Sequence, residues 1–82
     1  MKLKKPYLVK WLDAANHGID WTDKSKLKST PATILSVGIL THKCKDTITL
    51  TQNLCVSGPG EASGCNCITI PRGCIIQTER LK

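Results

Sequence analysis

Apolar and polar positions alternate along most of this chain with a period of two, the repeat of a half-buried strand rather than a helix. Tyr7-Leu8-Val9-Lys10-Trp11-Leu12-Asp13 opens the pattern and puts Tyr7, Val9 and Trp11 on one face. Ala32–Thr41 is the longest apolar run, and its Ile, Val and Thr residues favour a strand. Leu35, Val37 and Ile39 share a face there, and Gly38 inside the run predicts a bend or bulge. Thr47–Leu54 alternates most cleanly, with Ile48, Leu50 and Leu54 inward and Thr47, Thr49 and Thr51 outward. Residues 65–70 and 74–81 form the last two strands. They flank Pro71-Arg72-Gly73, which reads as the tight turn of a closing hairpin: Pro fixes one turn dihedral and Gly admits positive φ.

The connections are less regular. Residues 1–5 are a basic arm expected to fray. Residues 14–30 begin with small and turn-forming residues and are too poor in apolar side chains for a buried helix. They predict a long loop with at most one helical turn, N-capped by Thr22. His42-Lys43-Cys44-Lys45-Asp46 reads as a polar hairpin loop, and Ser57–Gly64 as a Gly- and Pro-punctuated one. Five short strands without an amphipathic helix of 10–12 residues predict an all-β chain: a basic N-terminal arm over 1–6, then one small five-stranded barrel over 7–82.

Composition sharpens this picture. The 82 residues contain no Phe and only Trp11, Trp21 and Tyr7 as aromatics, so the core must be mainly aliphatic. A core this small is marginal alone, which favours self-association into a homo-oligomer. Lys and Arg outnumber Asp and Glu by 12 to 6, for a formal charge of +6. That excess suits a phosphate-bearing partner, although charge of this size also serves solubility. Five cysteines, an odd number, follow a start that lacks a secretory apolar segment. Free thiols in a reducing cytoplasm, with no membrane partner, are therefore expected.

The order of elements resembles the SH3-like and Sm-like small barrels. More closely, the chain is similar to short bacteriophage-encoded proteins. The shared features are the Trp11-Leu12-Asp13-Ala14 start, the downstream Trp21, the Ser36-Val37-Gly38 strand and Ile70-Pro71-Arg72. The resemblance implies a viral origin, a barrel and, by extension, the host cytoplasm as the site of action. It carries no active site.

The reactive residues argue against an enzyme. His17 and His42 both fall in predicted loops, and only Asp13 and Asp20 stand near His17 as possible orienting groups. No paired-carboxylate motif, phosphate loop or dinucleotide fingerprint occurs. Cys55, Cys65, Cys67 and Cys74 are spaced C-x9-C-x-C-x6-C, unlike the short knuckles of zinc sites, and read instead as small buried strand side chains. No cofactor or metal is expected.

Binding remains. Lys24 and Lys26 line the 14–30 loop beside Trp21, which offers a stacking face, and Arg72 at the last turn can fork onto a phosphate. Trp21, Lys24, Lys26 and Arg72 are thus the candidate ligand-binding residues. The sequence suggests a non-enzymatic viral binding protein for an anionic ligand. In its sharpest form this is an oligomeric sponge that sequesters a nucleotide signal of host defence. The alternatives are an Sm-like nucleic-acid binder and a protein-interaction module that inhibits a host enzyme.

Overall fold

The computed structural model describes residues 1–14, 31–58 and 63–82. Five antiparallel strands form one sheet: β1 (Pro6–Asp13), β2 (Ala32–Lys43), β3 (Thr47–Leu54), β4 (Gly64–Pro71) and β5 (Ile75–Arg80). Their order across the sheet is β4-β3-β2-β1-β5. β1 therefore lies between β2 and β5, with Tyr7 opposite Gly38 on one side and Arg80 on the other.

The Pro71-Arg72-Gly73 segment does not make a hairpin. Gly73 keeps a negative-φ backbone, Arg72–Cys74 wind into a single 3-10 turn, and β5 leaves to pair with β1 instead of β4. β4 and β5 occupy opposite edges of the sheet, yet only three residues connect them. In a flat sheet four strand spacings would separate those edges by about 19 Å. Four Cα steps reach at most about 14 Å, and a 3-10 turn less. The sheet must therefore curl until its edges approach at this corner. Because no ladder joins β4 to β5, it is a curled, open sheet, and hydrogen bonding does not close it into the expected barrel.

The concave face holds the core. Tyr7, Val9 and Trp11 of β1, Leu40 of β2, Ile48 and Leu50 of β3 and Ile70 of β4 are buried, with Ile34 and Ile75 packed against them. Trp11 also uses its polar edge, donating from Nε1 to Ser36 Oγ at 3.0 Å. Glycine is required where β2 passes over β3: a Cβ on Gly38 would stand 3.1 Å from Leu50 Cβ and 3.2 Å from the Thr51 carbonyl oxygen. The expected irregularity comes slightly later, as a register shift between Leu40 and His42.

Three other expectations are corrected. Thr51, assigned outward, is 1% exposed. Its hydroxyl lies 2.7 Å from Thr41 Oγ1 and donates to Cys67 Sγ at 3.3 Å, while Gly64 packs so closely that a Cβ there would meet Thr51 Cγ2 at 2.8 Å. Asn66 makes this possible: its left-handed φ of 58° turns β4 between Cys65 and Cys67. The cysteines are not buried strand fillers, since Cys44, Cys55, Cys65 and Cys67 are exposed and Cys74 is half-buried. Nor does the N-terminal arm fray. Its Lys4 N–H donates to the Leu40 carbonyl, and the Lys5 carbonyl accepts from the Leu40 N–H at 2.9 Å.

Candidate anion-binding end

β2 and β3 pair only over Ile39–Lys43 and Ile48–Thr51. At that end the β2–β3 hairpin closes with Cys44 N–H donating to the Thr47 carbonyl at 2.9 Å. His42, expected in the loop, lies within β2 opposite Thr49, so only Cys44–Asp46 form the tip.

Two contacts fasten the 3-10 corner to this tip. Arg72 N–H donates to the Asp46 carbonyl at 2.8 Å, and Arg72 Nε donates to the Cys44 carbonyl at 2.6 Å. Spending Nε on the backbone orients the guanidinium and leaves its Nη edge, with four N–H donors, for an incoming anion. From the other side, Lys43 Nζ donates to the Met1 carbonyl, and Lys2 N–H donates to Tyr7 Oη at 2.6 Å. The arm, the tip and the corner are thereby gathered, bringing Lys2, Lys4, Lys5, Lys43, Lys45 and Arg72 to one end of the sheet, where Asp46 is the acid of the tip.

Sequence position alone hides this grouping. The arm and Arg72 lie about 70 residues apart, and backbone hydrogen bonds rather than any motif bring them together. The one legible signal was the concentration of lysines before Pro6 and around Cys44. Of the four residues singled out from the sequence, Arg72 takes part in this end. Trp21, Lys24 and Lys26 lie outside the described residues, as does His17.

The tip also alters one thiol. Cys44 Sγ lies 3.3 Å from Thr47 Oγ1, and hydrogen bonds from that hydroxyl and from the backbone at Asp46 and Thr47 lower its pKa below the ordinary thiol value. The thiolate is more accessible there than in an unassisted cysteine. Among the described residues, no group of three or more His, Cys, Asp or Glu side chains is placed to hold a metal ion. No helix among them is long and apolar enough to cross a membrane.

Among the described residues two cavities lie elsewhere on the sheet, and neither is lined by a basic side chain. One, of about 580 Å³, lies beside the end of β3 and the start of β4, between Ile39, Asn53, Cys55 and Cys65. The other, of about 750 Å³, lies where β2 and β3 part, between Ser36, Val37, Gln52, Asn66 and Ile68. No Lys or Arg lines either of them. The described parts of β3, β4 and the segment between them contain no charged residue at all. Among the described residues, Lys2, Lys4, Lys5, Lys43, Lys45 and Arg72 gather at the hairpin end, outside both of these cavities. No family model, curated protein or solved structure matches the chain.

Proposed function

We propose that this is a non-enzymatic binding protein whose partner presents phosphates to the basic end of the sheet, and that the partner is nucleic acid contacted along its backbone. The resemblance to phage-encoded proteins adds a viral setting to this reading. The observation that carries it is the gathering of the arm lysines, Lys43, Lys45 and Arg72 on one surface, with both cavities free of cations. A spread of lysines around one oriented guanidinium suits a polyanion, which offers successive phosphates to separate point charges. A nucleotide held within one copy would instead need cations in a hollow, so the sponge reading rests on Trp21, Lys24 and Lys26.

The test is a titration of fluorescent single- and double-stranded oligonucleotides at several salt concentrations. Binding should weaken linearly in log–log form, as condensed counterions are released. Arg72→Gln should lower affinity on all sequences alike and reduce the slope by about 0.9, the value of one lost phosphate contact on a duplex. Absence of binding at low salt, together with thermal stabilisation by one mononucleotide, would favour the sponge instead.

A further inference from the structure

β2 is paired on both sides for only part of its length. Ala32–Ile39 pair with β1, but pairing with β3 begins at Ile39. On its side of the gap, β3 continues through Asn53 and Leu54 paired to β4 alone. Over Ala32–Gly38, then, no strand among the described residues takes the second edge of β2. In an extended strand about half of the residues direct their N–H and C=O toward a given edge, so this stretch presents three or four residues' worth of unused backbone groups.

The side chains sharpen the problem. Pro31–Thr41 contains no Asp, Glu, Lys or Arg. Leu35 and Val37 are 64% and 53% exposed on the convex face, beside Leu8 opposite Val37 and Leu12 opposite Thr33, with Lys10 opposite Leu35 between them. Protein edges that remain solvated are normally guarded by charge, proline or a bulge, and Ala32–Gly38 itself has none of these.

We infer that a second copy of this chain takes that edge, adding its own Ala32–Gly38 antiparallel across a two-fold axis. Three observations select this occupant. The free stretch runs from Ala32 to where β3 begins to pair, and Leu35 is its midpoint. A pairing centred there opposes Ala32 to the partner's Gly38 and Thr33 to the partner's Val37, using the whole edge and stopping where β3 takes over. The docking strand and the docking edge are one uncharged segment, as an isologous contact requires. Charge bears on the arrangement as well. Each chain carries +6, and the cation nearest the axis is Lys10, opposite Leu35 and three strand spacings, about 14 Å, from its copy. Lys43 is eight residues from Leu35, so the two hairpin tips would lie about 50 Å from one another, several Debye lengths at physiological salt. This inference is independent of the nucleic-acid reading, since it uses the opposite half of β2.

The test is the oligomeric state of the full chain, by sedimentation equilibrium and native mass spectrometry from about 1 to 100 μM. A reversible dimer is expected. Leu35→Lys and Leu35→Glu each place like charges opposite one another at the axis, and each should weaken dimerisation at least tenfold. An equimolar mixture of the two should restore it as the heterodimer, an outcome that only a contact across Leu35 produces. Hydrogen exchange on the unsubstituted chain should show amides 32–38 becoming protected as concentration rises, which keeps the inference testable if a variant fails to fold. A monomer throughout the range would overturn the inference. So would a dimer indifferent to both substitutions, or concentration-dependent protection confined to β4 or β5.

Discussion

The two halves of β2 share one strand and differ in almost everything else. Ile39–Lys43 is paired with β3, meets β1 only at Ile39 and the N-terminal arm at Leu40, contributes the fully buried Leu40 and ends in a lysine held by that arm. Ala32–Gly38 is paired on one side, exposes Leu35 and Val37, and borders an uncharged cavity. Side-chain hydrophobicity does not distinguish them. What does is which neighbour each half has, β3 and the arm for one and β1 for the other, and whether the sheet's concavity lies beneath the residue. The comparison separates a half of the strand that builds the molecule from a half that faces outward.

Substitution on either side of that boundary should break the comparison most visibly. Ile48, fully buried, lies on β3 opposite Lys43, in the half held by β3. Ile48→Ala should cost about 2–5 kcal/mol, the range for truncating a buried aliphatic side chain. Leu35→Ala, in the other half, should change the stability of the single chain by no more than about 0.5 kcal/mol. Urea unfolding of both variants at low protein concentration measures the contrast, and equal losses would abolish it.

The junction itself should be intermediate. Gly38→Ala pushes a Cβ toward Leu50 Cβ and the Thr51 backbone, where the closest distances are 3.1 and 3.2 Å and the neighbours cannot rotate aside. Destabilisation of about 1–3 kcal/mol is expected from such overpacking, read as a lower urea midpoint. A neutral result would mean that β2 and β3 can separate at this point without loss.

The smallest effect lies at the basic end. Hydrogen bonds from the Thr47 hydroxyl and the neighbouring backbone lower the Cys44 pKa, so its thiolate should react with iodoacetamide at lower pH than an unassisted thiol. Thr47→Val removes the largest cause and should move that reactivity toward higher pH, as followed by peptide mass spectrometry. Because the folded value is depressed, the associated stabilisation is present above the unfolded thiol's pKa and fades as pH falls through the folded one. Cys44 is fully exposed to solvent, which keeps this contribution slight.

Much of the secondary structure was legible because period-two alternation is local. Tyr7, Val9 and Trp11 announce their buried face without help from the rest of the chain, as do Ile48 and Leu50. Three things were not legible, and each depends on a distant partner. β2 has apolar residues on both faces, and only the pairing with β1 and β3 decides that Ile34 and Leu40 turn inward while Leu35 and Val37 do not. Thr51 is polar and sits at an outward position, yet Gly64 and the turn at Asn66 bring β4 over it. The Pro71-Arg72-Gly73 segment has the composition of a hairpin turn and serves as a crossover, winding into a 3-10 turn from which β5 leaves to pair with β1. For the candidate site, lysine clusters were visible, but their convergence with Arg72 required the hydrogen bonds to Cys44 and Asp46.

The position of β1 between β2 and β5 also governs the order of events during folding. Pairing Tyr7 with Arg80 joins positions 73 residues apart, whereas Cys44–Asp46 close β2 onto β3 locally. Loop-closure entropy makes the local hairpin early and the β1–β5 ladder late, and chains dominated by such distant pairings fold slowly. In that interval Trp11 has no Ile75 beside it and the concave face is unsealed. The uncharged edge of β2 is then flanked by further open edges, and encounters between chains compete with completion of the sheet. Yield on refolding should therefore depend on protein concentration more steeply than native stability would suggest.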